Sequence, residues 1–134
     1  MGQPAAKQGD KVIATDTHIV LVPQPTGPPV PTPLPHPFVG MLNSNLSPTV
    51  KIGGMPAATV GSIAQNQPPH IPTPPGTVFQ IPPTNMGTVM MGSMTVMINN
   101  KPAARNGDTV QTCNDPAPLP VGKIIAVGTV MIGG

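Results

Sequence analysis

The stretch TVMINNKPAARNGD, residues 95–108, contains the unit that decides the fold, because parts of it recur elsewhere in the chain. PAAKQGD at residues 4–10 and PAATVGS at residues 56–62 repeat its second half, and TVKIGGM at residues 49–55 repeats its first half. A last TVMIGG, residues 129–134, has no PAA after it, whereas the first PAA has no such segment before it. We therefore expect the two ends of the chain to meet, so that three equivalent units close around a pseudo-threefold axis.

Each repeat begins with a strand pattern. Val and Ile alternate with Thr, Lys or Met in residues 49–52, 95–98 and 129–132, which is typical of a half-buried β-strand. Gly-Gly or Asn-Asn follows each run, and these dipeptides favour a tight hairpin turn. The alanines after the turn are small enough to meet near an axis. The sequence thus predicts an all-β fold: a small cone of three pseudo-threefold-related β-hairpins, joined by proline-rich loops.

Length and composition indicate a single domain, residues 1–134, without long helices. There are 22 prolines and 15 glycines but only two aromatic residues, both phenylalanine, so a core of large side chains is not available. Disorder is the alternative interpretation of a proline-rich segment such as residues 23–37. The ordered repeats and the low content of charged residues argue against disorder of the whole chain.

The charge pattern excludes several kinds of partner. Six basic and four acidic residues form no basic stripe, so no nucleic acid is expected as a ligand. The N-terminus lacks an apolar segment, and the apolar run at residues 123–134 is short and broken by glycine. We therefore expect neither a signal peptide nor a membrane anchor. A single cysteine excludes an internal disulfide.

The positions of the histidines and of the cysteine indicate a metal site. His18 and His70 each lie fourteen residues after the proline of their repeat, and Cys113 lies eleven residues after the proline of the third. His36, the remaining histidine, lies in the long loop PTPLPHPFVG, where no repeat positions it. Three imidazoles and one thiolate form a tetrahedral zinc set, although the spacing is not that of a zinc finger.

Two alternatives stay open for these residues. They can be loop histidines and an inert buried cysteine that bind no metal. If His36 is free, water completes the coordination sphere and a catalytic zinc becomes conceivable. A general base is scarce, however, because the chain has no Glu and because Asp10 and Asp108 fit turn positions. We therefore expect that the protein is not an enzyme.

The segment NMGTVMMGSMTVMIN, residues 85–99, is rich in methionine. These methionines either fill gaps in a small axial core or form an apolar face for a partner.

The repeats, and PAARNGD in particular, resemble the proline-alanine-alanine-arginine (PAAR) repeat proteins, which form the tips of contractile injection machines. The resemblance covers nearly the whole chain. It implies a small cone whose base caps a trimeric valine-glycine-repeat (VgrG-like) spike and whose apex is held by zinc. The zinc ligands that it implies are the same four residues, His18, His36, His70 and Cys113. Lys7 and Thr59 replace the arginine of the first two copies, and Ser62 replaces one aspartate, so a role of Arg105 does not transfer to them.

From this resemblance we expect a metal-stabilised pointed tip that helps to pierce a target membrane. One chain is expected to seat on each spike trimer, with Val96 and Met97 at the junction, and effector cargo is a further possible partner. The protein is expected in the bacterial cytoplasm during assembly, and then at the tip of a particle that is delivered outside the cell or into a target. Type VI secretion and an extracellular phage-tail-like particle both fit. The alternatives are a zinc-dependent hydrolase and a proline-rich adhesin or linker without metal.

Overall fold

The computed structural model describes residues 2–133, and this part of the chain is all-β, without a helix. A membrane-spanning helix is accordingly not found among these residues. The strands are β1 (Gln3–Pro4), β2 (Lys11–Val22), β3 (Val30–Ser44), β4 (Lys51–Ile52), β5 (Met55–Pro56), β6 (Ile63–Asn66), β7 (Val78–Phe79), β8 (Met86–Val89), β9 (Met97–Ile98), β10 (Lys101–Pro102), β11 (Thr109–Thr112), β12 (Leu119–Ile125) and β13 (Met131–Ile132).

Six of the strands form a small closed barrel. Each repeat contributes an antiparallel pair: β2 with β3, β6 with β8, and β11 with β12. Neighbouring pairs are joined by β3–β6, β8–β11 and β12–β2 pairing, and the last of these closes the ring. Closure leaves these strands no free edge over the paired region. The predicted all-β class is confirmed, and the barrel is an element that the hairpin pattern did not predict.

Three two-stranded ladders lie at one end of the barrel, which we call the base. Two of them are the hairpins β4–β5 and β9–β10, whose turns have positive φ at Gly53, Gly54, Asn99 and Asn100, as predicted. The third is β1 paired with β13, so the two ends of the chain do meet. Gly134, the last residue of the TVMIGG repeat, lies outside the described residues.

The second alanines of the three PAA motifs form a closed ring of hydrogen bonds, which we call the alanine ring. The N–H of Ala6 donates to the carbonyl of Ala104 at 2.9 Å, Ala104 donates to Ala58 at 3.0 Å, and Ala58 donates back to Ala6 at 3.0 Å. All three side chains are fully buried, so only a small residue fits there. The expected close approach at a pseudo-threefold axis is confirmed.

The turn after each PAA is held by a side chain. Asp10, Ser62 and Asp108 each accept a hydrogen bond, 2.8 to 3.0 Å long, from the backbone N–H three residues earlier. The serine therefore serves the same purpose as the two aspartates. Lys7 and Arg105 add ion pairs to Asp10 and Asp108 at 3.1 and 3.0 Å.

The proline-rich segment of residues 23–37 is only partly a loop, and the prediction is wrong from Val30 onward. Strand β3 begins there and pairs with the whole of β2, from Val22↔Val30 to Lys11↔Met41. Prolines occupy alternate positions of this strand, at residues 31, 33, 35 and 37. Because successive residues point their N–H groups to opposite edges, these prolines remove donors from one edge only, and the ladder to β2 keeps its own.

A further threefold pattern consists of a glycine two residues before a buried aliphatic side chain. Gly40, Gly87 and Gly122 precede Leu42, Val89 and Ile124, which lie in the barrel core. A Cβ atom at Gly122 would lie 2.9 Å from a methyl carbon of Thr112. Each repeat thus places one aliphatic residue in the barrel core near a glycine position that has no room for a side chain, and Val12, Phe38 and Val110 pack in the same core.

Candidate metal site

The candidate metal site lies where strands β2 and β3 extend beyond the barrel, at the end opposite the base, which we call the apex. Asp16 and His18 are two residues apart on β2, so their side chains lie on the same face. The loop after β6 supplies His70, and Cys113 directly follows β11. Each of the three repeats thus contributes at least one residue to this cluster.

Four donor atoms converge, one each from Asp16, His18, His70 and Cys113, and all lie within 4.8 Å of one another. His70 Nε2 is 2.9 Å from Asp16 Oδ2, and Cys113 Sγ is 3.5 Å from the same oxygen. Cys113 Sγ lies 3.6 Å from His18 Nε2. Two nitrogens, a sulfur and a carboxylate oxygen at this separation are a donor set suited to zinc.

His36 belongs to the same cluster but is held differently. Its ring centroid is 5.4 Å from that of His18 and 5.7 Å from that of His70. Both of its ring nitrogens are engaged by backbone groups: Nδ1 lies 2.9 Å from the carbonyl of Leu34, and Nε2 accepts the N–H of Thr73 at 3.1 Å. Three of the predicted ligands therefore converge with Asp16, and the fourth lies beside them.

Backbone contacts fix the segments that carry the donors. Thr17 and Ile19 on β2 donate their N–H groups to the side chains of Asn114 and Asp115, at 2.6 and 2.8 Å. These bonds tie the segment containing Cys113 to the strand containing His18. On the other side, Asn85 Oδ1 accepts the backbone N–H of His70 at 2.8 Å. The donors are thus positioned by the surrounding chain and not only by one another.

One buried nitrogen supports the fit of a metal to this cluster. Within residues 2–133, His18 Nδ1 is the one buried side-chain nitrogen or oxygen without a hydrogen-bond partner, and Asp115 Oδ2 lies 3.5 Å from it. A metal-bound imidazole commonly directs its second nitrogen to a carboxylate, which orients the ring. The residues present therefore fit a bound zinc ion.

Burial sets the protonation of the site. It lowers the pKa of His18 and of His36 below the ordinary value of 6.5, although nearby carboxylates oppose the shift at His18. Burial, reinforced by the charge of Asp16, raises the pKa of the Cys113 thiol to about 11. The metal-free thiol is therefore protonated at neutral pH, and a metal must displace this proton to bind the thiolate.

Phe79 and a proline-lined cleft complete the surroundings. The ring of Phe79 lies 5.7 Å from His18 and 5.3 Å from His36, centroid to centroid, because β7 pairs with the far part of β2. A cleft of about 350 Å³ opens beside His36 and His70, and the loop at residues 67–74, which includes four prolines, supplies most of its wall. The lining contains no carboxylate, so this cleft lacks a general base.

Asp16 is absent from the sequence-based ligand set, although a signal for it exists. Asp16 and His18 form a D-x-H pair, and in a strand such a pair places both side chains on one face. The alternating Val and Ile pattern predicts strands at residues 49–52, 95–98 and 129–132 only, so residues 11–22 lie outside the predicted strands. Assigning that strand would have paired the two side chains.

The two residues expected at the partner junction occupy different environments. Met97 is on the outside of strand β9 with 58 % of its surface exposed. Val96 is partly buried and packs against the small core of the base, which includes Ile98 and Ile132. Only Met97 is therefore free to contact a partner without disturbing the hairpin that carries it.

Comparison with known families supports the repeat that contains the third PAA copy. A family model of the PAAR motif matches residues 80–134, which include PAARNGD, Cys113 and the last TVMIGG. The third PAA copy and the segments around it therefore form a PAAR motif. None of the curated proteins searched matches it.

The PAAR motif supports a role at the spike tip of a contractile injection system, in association with a VgrG-type spike. PAAR proteins are structural spike-tip proteins and not enzymes. The family match covers one of the three repeats. The alanine ring extends the equivalence to the other two, because Ala6 and Ala58 occupy the same positions as Ala104.

Proposed function

We propose that this PAAR-motif protein, acting as one domain, is the metal-stabilised point of a contractile injection machine. The base seats on a trimeric VgrG-like spike, and the apex leads when the spike is driven into a target membrane. The alanine ring is the observation that supports this proposal most strongly. Because the ring closes within one chain, a single molecule offers three equivalent two-stranded ladders to the three chains of a spike.

The exposed side chains of the base suit such a partner. Exposed apolar residues recur on all three ladders and on the segments that lead into them. Clustered apolar side chains on a surface indicate a binding site for a partner. They are Val50, Met55, Met94, Met97, Val130 and Met131, all at least one-third exposed. Flexible methionines adapt to a surface of slightly different shape, which is useful where pseudo-threefold meets threefold symmetry.

A structural zinc ion is proposed for the apex. His18, His70 and Cys113, one from each repeat, would hold it together with a fourth donor, either His36, the ligand expected from the sequence, or Asp16. When bound, the ion cross-links segments that are distant in sequence. Structural zinc contributes on the order of 10 kcal/mol or more in small metal-dependent domains, so it compensates for the small core.

Catalysis is not part of the proposal. A zinc hydrolase needs an open coordination position and a base nearby, whereas the apex offers protein donors for every position of a tetrahedral ion. We propose that the protein is assembled in the bacterial cytoplasm and leaves at the tip of the particle, with effector cargo as an optional further partner.

Binding to a trimeric VgrG-type spike from the same genome tests the proposal. Met97→Asp should abolish capping, because a charge on the base must be desolvated against an apolar partner surface. Met86→Asp is the matched control, since Met86 is 46 % exposed on barrel strand β8, away from the base. The control should bind normally. Equal binding by both variants, with both folded and metal-loaded, would contradict the proposed docking face.

A further inference from the structure

We propose that the alternating prolines of strand β3 close an open sheet edge at the apex, so that the tip does not pair with a second copy of this chain. The four prolines are at residues 31, 33, 35 and 37. They act by removing backbone N–H groups, which a neighbouring strand would need. This inference goes beyond the proposed function, because it requires neither a spike at the base nor a metal ion at the apex.

The outer part of β3 is an edge strand. Its residues 30–39 pair with β2 on one side, whereas pairing with β6 on the other side begins only at Gly40. Because strands of globular proteins commonly have about five or six residues, this edge is long enough to receive a further strand. An open edge of this kind is a common site of self-association.

From residue 31 to Val39, this edge has no free N–H group. Odd-numbered residues direct their backbone groups to it, as Val39 shows: its N–H donates to Asn66 Oδ1 at 2.9 Å, and its carbonyl accepts the N–H of Gln67 at 3.2 Å. The four odd-numbered positions before Val39 are the prolines. The edge therefore offers carbonyl acceptors only, whereas a hydrogen-bonded pair of an antiparallel ladder needs an N–H from each strand.

Other elements protect the rest of the apical sheet. Near the barrel, the hydroxyl of Thr73 donates to the carbonyl of Pro35 at 2.9 Å. On the far side of β2, the outer strand β7 has two residues, which is too short to receive a partner strand. Toward the tip of the β2–β3 hairpin, Pro31 and Pro33 are exposed. The prolines thus lie on the part of the sheet edge that stays open to solvent.

A second copy of this chain is the partner that such an edge would otherwise receive. Two identical edges meet antiparallel in a twofold arrangement, so pairing would need no other protein. Val30 and Val39 on the same strand are 42 % and 44 % exposed, which would add apolar contacts. Charged side chains are the usual alternative protection of an edge, but residues 17–50 contain no Asp, Glu, Lys or Arg. The prolines are therefore the device that this edge has.

Restoring the N–H groups tests the proposal. The edge variant carries Pro31→Thr, Pro33→Thr and Pro35→Thr, and sedimentation velocity of the intact protein over a range of concentrations measures its self-association. It should associate at least roughly 100-fold more tightly than the wild type, because one net hydrogen bond changes an equilibrium constant by roughly fivefold and each chain regains three donors. The new amides should also exchange more slowly with deuterium as the protein concentration rises.

The matched control is a turn variant with Pro25→Thr, Pro28→Thr and Pro29→Thr, which lie between β2 and β3, outside both strands. It has the same composition and loses as many prolines, but it gains no donor on the edge, so it should stay monomeric like the wild type. Equal association of both variants would assign the effect to lost stiffness and overturn the proposal. A folded edge variant that stays monomeric would overturn it as well.

The single substitution Pro33→Thr decides the matter if the edge variant does not fold. It restores one donor in the exposed part of the edge and should associate roughly fivefold more tightly than the wild type. Association no tighter than that of the wild type, together with an exchange rate of the new amide that is independent of protein concentration, would contradict the proposal. A wild-type protein that itself dimerises through β3 would contradict it too.

Discussion

The base and the apex of the molecule are built on opposite principles. The base is symmetric: three short ladders surround an alanine ring whose hydrogen bonds repeat from one repeat to the next. The apex is asymmetric, because one repeat sends out the long β2–β3 hairpin while the other two contribute a loop and a single residue after a strand. The base is held by backbone hydrogen bonds among small residues, and the apex by a buried cluster of polar side chains.

This difference follows from the ligand proposed for each end: a trimeric spike at the base and a metal ion at the apex. A partner with threefold symmetry requires three similar surfaces, so the base keeps its repeat. A metal ion requires only that four donor atoms converge, so the segments of the apex are free to differ in length and conformation. Burial of Asp16, His18 and Cys113 without a cation is costly, which makes the apex the part of the fold that depends on a ligand.

Removing the metal should destabilise the apex while the base stays folded. In Cys113→Ser, or after chelation, amides of the outer part of β2, such as Val20, should exchange more than roughly 100-fold faster, because a local contribution of several kcal/mol is lost. Amides of the alanine ring should change by less than roughly tenfold. Hydrogen exchange measures both regions in one experiment. Equal acceleration at Ala6 and Val20 would show that base and apex unfold together.

Overpacking the alanine ring should have the converse effect. Ala104→Leu adds volume at a fully buried position next to Ala6 and Ala58, and it should lower the free energy of unfolding by roughly 3 kcal/mol or more. Urea denaturation measures the loss. Ala117→Leu, in an exposed loop, is the control and should be neutral. A stability of Ala104→Leu equal to that of the control would argue against a tightly closed axis.

The alanine ring also shows how far the sequence alone leads. The recurring sequence motifs predict the threefold closure, the meeting of the two chain ends and the hairpin turns. They do so because similar residues in similar local settings adopt the same backbone conformation. The long β3 strand does not follow, because its prolines indicate a loop unless the pairing with β2 is known. The D-x-H pair indicates that Asp16 lies beside His18, but the contacts of Asp16 with Thr112 and His70, which are far away in sequence, do not follow from this local pattern.

A smaller effect should come from the contact between neighbouring ladders of the base. Ser93 is buried, and its hydroxyl oxygen accepts from the N–H of Val96 at 2.9 Å while its proton goes to the carbonyl of Gly133 at 2.6 Å. Ser93→Ala should therefore destabilise the protein by roughly 1–3 kcal/mol without changing its zinc affinity. Thermal unfolding and a metal competition assay report the two quantities. A large change in zinc affinity would mean that the base and apex are energetically coupled.

The smallest effect concerns pH. Burial holds the pKa of His18 and His36 below 6.5, so the unfolded chain binds protons that the folded chain does not. Their contribution to stability is complete above pH 6.5 and is lost as the pH falls from there through the lowered folded-state values. Urea midpoints measured between pH 8 and pH 5 should thus decrease toward acid. A midpoint that rises toward acid would contradict the neutral, buried state of these rings.

Native mass spectrometry of the complex with a trimeric VgrG-type spike tests the central claim most directly. Because β1 and β13 of one chain complete the third ladder, one molecule already carries all three docking units. The account predicts an assembly of three spike chains, one copy of this protein and one zinc ion. A complex with three copies on each spike, or a stable homotrimer of this chain alone, would contradict it.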